Sequence, residues 1–160
     1  MIPPLLEWLK ALPPEWVTML VGALPIAEVR GAIPVAIALK LSYPQAFFWS
    51  CLGNLLPVVP LLIWLDPVSA GLRRFPLWRG FFDWLFTRTA ARAEIVQRYE
   101  AIGLALFVAV PLPLTGAWTG CAAASLFKLP FRLAFPAIAA GILGAALIVT
   151  LAVRAGTALF

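Results

Sequence analysis

The sequence predicts an all-α membrane protein built on a two-fold internal repeat. Three observations predict it: four apolar blocks of spanning length, proline- and glycine-broken stretches at matching places in two halves, and a charged pair lodged inside one of those stretches. Of the 160 residues, 63% are hydrophobic and 12% charged, with a mean hydropathy of +0.98. A soluble domain is about half apolar and about a quarter charged. The net charge of +5 therefore reads as a topology signal, and no nucleic-acid partner is expected.

The first fifteen residues hold Glu7, Lys10 and Glu15 among prolines. They lack the basic start, apolar run and small-residue cleavage site of a signal peptide. Met1–Pro14 fits a short interfacial helix with Trp8 at the headgroups.

Four blocks follow: Trp16–Leu39, Ala46–Leu65, Ala101–Phe127 and Leu133–Val153. A spanning helix needs about 20 apolar residues, and each block is long enough. Trp16, Trp49, Trp64 and Trp78 sit near segment ends, as interfacial anchors do. Between the second and third blocks, Asp66–Glu100 carries Arg73, Arg74, Arg79, Arg88, Arg92 and Arg98. The positive-inside rule places that loop in the cytoplasm. Within it Phe81–Tyr99 has helical periodicity, with Phe82, Leu85, Phe86, Thr89, Ala93 and Val96 on one stripe, and reads as an amphipathic helix on the inner leaflet or against the bundle. A lipid-headgroup patch is the weaker reading, because Asp66, Asp83, Glu94 and Glu100 offset the arginines.

The expected organisation is one membrane domain over residues 1–160. Half one covers 16–65, the amphipathic connector 66–100, and half two 101–158. Shifting the chain by 88 positions brings the halves into line: Leu24-Pro25 on Leu112-Pro113, Ala36 on Ala124, Lys40-Leu41 on Lys128-Leu129, Ala46-Phe47 on Ala134-Phe135, Gly53 on Gly141. Chance would give roughly three such identities over the same stretch.

The first block of each half is not expected to be a straight span. Pro25 and Pro34 bracket Glu28 and Arg30, and Pro111–Gly120 holds two prolines and two glycines. Proline removes a helical hydrogen bond and clashes with the preceding turn. Broken backbone at membrane depth survives only where it is buried in protein or lines a wet cavity. Paired interruptions of this kind mark the binding site of secondary transporters. Either each broken block is a re-entrant helical hairpin, followed by a transmembrane helix and making an inverted repeat, or all four blocks cross and the halves run parallel. The re-entrant arrangement is favoured, because it keeps Lys128 and Arg132 in the cytoplasm.

Glu28-Val-Arg30-Gly31-Ala-Ile-Pro34, Asn54 with Pro57, and Pro111-Leu-Pro113-Leu-Thr115-Gly116-Ala-Trp118-Thr119-Gly120 resemble the small multidrug export protein family. That family is similar to the DedA (VTT-domain) superfamily. The likeness runs from about Leu20 to Gly144 and departs at Leu114, where the family commonly has glycine. The resemblance implies two facing re-entrant hairpins in a prokaryotic cytoplasmic (inner) membrane. It also implies transport of a lipid (polyprenyl) phosphate or another amphiphile, coupled to a proton or sodium gradient.

The expected substrate- and ion-binding residues are Glu28, Arg30, Gly31, Asn54, Thr115, Gly116, Trp118, Thr119 and Gly120. A charge near a bilayer centre costs a few kcal/mol or more, so Glu28 and Arg30 are weighted toward function. Arg30 offers a planar fork for an oxyanion. Half-helix N-termini attract anions, and Gly31, Gly116 and Gly120 allow close backbone approach. Glu28 is a candidate proton carrier that competes with the substrate anion for Arg30. The plainer alternative is that Glu28 and Arg30, two apart on a helix and so pointing apart, each pin a hairpin to its neighbour. For Thr115 and Thr119 capping is the stronger alternative, and for Trp118 packing. Asn54 is divided between satisfying a kinked backbone and lining the cavity.

Cys51 and Cys121 read as small hydrophobes. With no histidine, no clustered carboxylates and no nucleophile motif, neither catalysis nor a metal or cofactor is expected. The expected partners are membrane lipids, an anionic amphiphile and a coupling proton or sodium ion, in a homodimer large enough to enclose a cavity. Efflux of amphiphilic cations and a non-transporting assembly role are the alternatives.

Overall fold

The computed structural model describes residues 12–72, 79–80, 83–84, 87, 89–90, 94–110 and 115–158. The expectations for residues 1–11, for most of the Phe81–Tyr99 helix, for Trp78 and for Pro111–Leu114 lie outside the described residues. They form helices joined by short turns, with no strand among the described residues.

Half one opens with two short helices joined by a four-residue turn. Helix α1 (Pro14–Ala23) starts on a proline, whose fixed φ suits the first helical turn. It stops at Leu24, which is extended as the residue before Pro25 prefers to be. Helix α2 (Glu28–Ala38) then packs against α1. At 1.5 Å per residue each helix is about 16 Å long, half the thickness of a bilayer core. The break comes only at the Leu24–Ala27 turn. Pro34, expected to interrupt the block, stays inside α2; it lies on an exposed face, where losing one hydrogen bond does not stop the helix.

Helix α3 (Tyr43–Leu55) opens at Ser42, whose backbone N–H and hydroxyl both donate to Gln45 Oε1, at 3.1 and 2.8 Å. After Leu56-Pro57 the chain continues as α4 (Val58–Leu72), past the expected end of the block at Leu65. Half two repeats the order. Helix α5 (Glu94–Ala109) is kinked at Glu100 (φ 46°, ψ −118°), where the connector gives way to the apolar stretch. Helix α6 (Ala117–Leu126) and the 28-residue α7 (Phe131–Ala158) follow. Two stretches, Tyr43–Leu65 and Phe131–Thr157, are long and apolar enough to cross a membrane.

The ends of α2 and α6 are built alike. Lys40 and Lys128 both take the left-handed conformation (φ 66° and 55°). Leu41 N–H donates to Ala36 O at 3.0 Å, and Leu129 N–H to Ala124 O at 2.9 Å. This six-to-one bond closes the last helical turn and satisfies a terminal carbonyl. Residues 36, 40 and 41 stand 88 positions before 124, 128 and 129, and Tyr43 and Phe131, which open α3 and α7, share that spacing.

Packing is threefold within each half: α1 on α2 and α3, α2 on α3; α5 on α6 and α7, α6 on α7. The halves meet where α2, α3 and α4 pack on α7, and α4 on α6. The Tyr43 hydroxyl is 2.6 Å from Thr157 Oγ1, so the start of α3 lies at the end of α7 and the two helices run antiparallel. Val29, Ile33, Leu104, Val108, Ile138 and Ile142 belong to one buried cluster drawn from both halves. In lipid, burial of apolar surface does not drive helix association; close packing does. Gly53 meets α1 and Gly141 meets α5 so closely that a Cβ on either would strike main-chain atoms of the facing helix. Outward, Trp16, Leu20, Phe48, Ile63, Trp64, Ile102, Leu147 and Leu151 are exposed, an apolar girdle suited to acyl chains.

Candidate functional site

Glu28 opens α2 with a left-handed backbone (φ 48°). That conformation is rare outside glycine and clusters at functional sites. Here it has a visible consequence. On an ideal helix, side chains two residues apart diverge; the left-handed turn swings Glu28 round, and its Oε2 accepts from Arg30 Nη2 at 3.3 Å. The plainer alternative, in which the two point apart, does not hold at this backbone conformation. The Glu28 side chain is 7% exposed and that of Arg30 26%, so the acid is nearly sealed and the arginine only partly buried.

The second partner of the carboxylate comes from half two. Glu28 Oε1 accepts the Trp118 main-chain N–H at 3.4 Å. Trp118 is the second residue of α6, and its amide is one of the donors that a helix N-terminus leaves unpaired. Gly116, the residue before α6, makes this approach possible: a Cβ there would overlap the Glu28 carboxylate. The carboxylate therefore sits in a cradle formed by the α6 N-terminus on one side and Arg30 on the other. Donors of this kind suit an acidic group, and here the group is one of the protein's own.

The neighbouring residues hold the cradle in shape. The Trp118 indole N–H donates to Ala23 O at the end of α1, at 3.2 Å, so Trp118 ties α6 to the hairpin of half one through both its nitrogens. Thr119 Oγ1 accepts the Gly116 N–H at 3.0 Å and donates back to Gly116 O at 3.2 Å. Thr115 Oγ1 donates to Val110 O at 2.9 Å, closing the chain between α5 and α6. Both hydroxyls thus act as caps.

The other residues singled out from the sequence stand elsewhere. A Cβ on Gly31 would crowd Ala27 at the head of its own helix, and one on Gly120 would crowd Val108 of α5, so only Gly120 sits in helix–helix packing. Asn54 is buried on α3 beside Gly22 of α1. Cys51 and Cys121 are free and buried, with Cys121 Sγ 3.9 Å from Val58 O. Among the described residues, no group of three or more His, Cys, Asp or Glu is placed to hold a metal ion.

Two participants were missed from the sequence. The Ala23 carbonyl carries no side-chain signal. Ser50 does: it lies four residues before Asn54, hence on the same face of α3, and is fully buried.

No curated protein and no solved structure shows significant similarity to the chain. Residues 28–148, about three quarters of its length, match the family described as "Putative small multi-drug export protein". The match begins at the acid in the cradle, so that α1 lies outside it, and takes in α2 to α6 and most of α7. With two helices fit to cross a membrane, the chain is an integral membrane protein and belongs to this small multi-drug export family.

Proposed function

We propose that this protein is a gradient-coupled transporter that moves an amphiphilic anion, such as a lipid phosphate, across a prokaryotic inner membrane. The observation that carries the reading is the Glu28 carboxylate held between Arg30 and the α6 N-terminus. A site that binds one oxyanion this way binds another. In the proposed cycle a proton arriving at Glu28 removes its charge and loosens its hold on the Trp118 amide and Arg30. The substrate's acidic group then takes those donors, with its apolar part against the apolar helix faces. On the far side Glu28 gives up the proton and displaces the anion.

Several features support the architecture this needs. The α1–α2 pair and α6 are too short to cross alone and fit re-entrant hairpin legs meeting near the midplane. The matched ends of α2 and α6 and the antiparallel α3 and α7 fit an inverted repeat, in which one unit is used twice with opposite orientation. A chain of this size would work as a homodimer.

The family description names drug export; if the drugs are amphiphilic cations, that reading asks Glu28 to be the binding group. That carboxylate is already paired with Arg30, and a cation would have to displace a guanidinium. The test is purified protein in liposomes with an imposed proton gradient, followed with a fluorescent lipid phosphate and, separately, with ethidium. Gradient-dependent flipping of the lipid phosphate, abolished in Glu28→Gln, is the expected result. Ethidium export without it would establish the cation reading, and neither activity would sink both.

A further inference from the structure

Ser50 and Asn54 stand one turn apart on α3, 0% and 1% exposed, yet Ser50 Oγ and Asn54 Oδ1 have no hydrogen-bond partner among the described residues. A buried oxygen left this way has given up its bond to water and gained none, and acyl chains offer none either. On α3 the two lie beside Gly53, which closes on Met19 of α1. The fold does not demand polar groups here. At the positions 88 residues on, α7 carries Ile138 and Ile142, both fully buried, and the Ile138 side chain closes on Gly120 of α6. Gly120 corresponds by the same spacing to Ala32 of α2, which is also fully buried. Half one thus packs its hairpin over two orphan oxygens where half two packs over two aliphatic side chains.

The hairpin is attached in a way that lets it swing. It joins α3 at one end, through the left-handed turn at Lys40, and among the described residues no hydrogen bond runs from α1 to α3. At the other end the Leu24–Ala27 turn packs little, with Leu24 54% and Ile26 97% exposed. Trp118 bonds that end to half two, through the Ala23 carbonyl and the Glu28 carboxylate.

We propose that the α1–α2 hairpin is the moving part of this protein: it swings about Lys40 and parts from α3, wetting Ser50 and Asn54, while α5 and α6 stay closed on α7. Water then satisfies the two oxygens, which lowers the cost of the open state; opening the seam of half two would only expose apolar surface. The same swing lifts Glu28 from Gly116 and Trp118. That consequence for the cradle rests on the transport reading above; the opening itself does not.

The test is thiol accessibility in membrane fragments, which admit reagent at both surfaces. With Cys51 and Cys121 replaced by alanine, Ser50→Cys and Ile138→Cys proteins are each treated with a charged, membrane-impermeant maleimide. The Ser50→Cys protein reacts several-fold faster, and faster still when Trp118→Phe removes one bond at the tip. Equal rates at the two positions, both fast or both slow, overturn the proposal. Should either variant not fold, Asn54→Cys and Ile142→Cys give the same comparison. In the otherwise unaltered chain, Ser50→Ala removes an orphan hydroxyl without adding volume and raises the melting temperature by a few degrees. No rise, or a fall, means that the closed state already satisfies the hydroxyl, and it overturns the proposal too. A chain in which Ser50→Cys is reachable but no lipid phosphate moves keeps the hinge and loses the transport reading. One that transports while Ser50→Cys stays sealed loses the hinge alone.

Discussion

The carboxylate of Glu28 fills the space in which residue 116 would carry its Cβ, and these two residues stand 88 positions apart, at the same place in the two halves of the chain. One unit puts a left-handed acid at the head of its short helix; the other puts a glycine there, and the acid lies over it. Gly116→Ala should therefore expel the carboxylate and destabilise the protein by about 1–3 kcal/mol, the usual range for overpacking. In a Glu28→Ala background the same change meets no carboxylate and should cost well under half as much. Thermal unfolding of the four proteins in the cycle measures the coupling; additive losses would mean that the two residues do not touch.

Glu28→Gln keeps the shape of the side chain and removes its charge. The cradle then holds a neutral amide, and an anionic headgroup competes with it equally at every pH. In the parent protein, acid on the loading side should strengthen anion uptake, because a protonated Glu28 no longer competes for the cradle. In Glu28→Gln that pH dependence should vanish while some uptake remains. Liposome uptake measured across a pH series with no imposed gradient checks it. A pH profile unchanged in Glu28→Gln would remove Glu28 from the coupling.

Arg30→Ala strips the charge partner from an acid that is nearly sealed. Removing one member of a buried pair costs about 3–5 kcal/mol; because the Arg30 head is partly open to its surroundings, about 2 kcal/mol is expected. Arg30→Lys restores the charge without the planar fork. It should recover most of the stability while leaving uptake of a phosphate headgroup at least several-fold down. A lysine variant with full uptake would show that only the charge matters.

Much of this arrangement was legible in the residues. Leu24-Pro25 marked the turn between α1 and α2, and the 88-residue spacing marked Lys40 and Lys128 as the same position twice. Both are left-handed helix ends, a geometry that lysine tolerates but does not advertise. Pro34 misled, because a proline on an exposed helix face can be absorbed. The competition of Glu28 for Arg30 was part of the sequence reading; how the two can meet was not legible, because side-chain spacing assumes helical dihedrals and Glu28 does not have them. Gly116 was visible as a glycine at a break, but its purpose came from a residue 88 positions away.

Trp118 joins the halves through its indole N–H on the Ala23 carbonyl. Trp118→Phe keeps most of the ring and leaves that half-buried carbonyl at the end of α1 without this donor, which should cost about 1–2 kcal/mol. The loss should be accompanied by weaker anion uptake, since α6 is then held to the first hairpin by fewer bonds. A variant as stable and as active as the parent would show that the α1–α6 contact is incidental.

The bond between Tyr43 and Thr157 turns the orientation of the halves into a measurable quantity. These residues stand at the beginning of α3 and near the end of α7, so they share one membrane surface only if the two helices are antiparallel. With Cys51 and Cys121 replaced by alanine, a Tyr43→Cys/Thr157→Cys protein should be joined within one chain by a short thiol cross-linker, in native membranes as well as in detergent. A Tyr43→Cys/Phe131→Cys protein, which pairs the two helix starts, should not be: α7 at about 1.5 Å per residue puts those thiols some 40 Å apart. If the second pair joined and the first did not, the helices would be parallel, and a transporter built on opposed units would be ruled out for this chain.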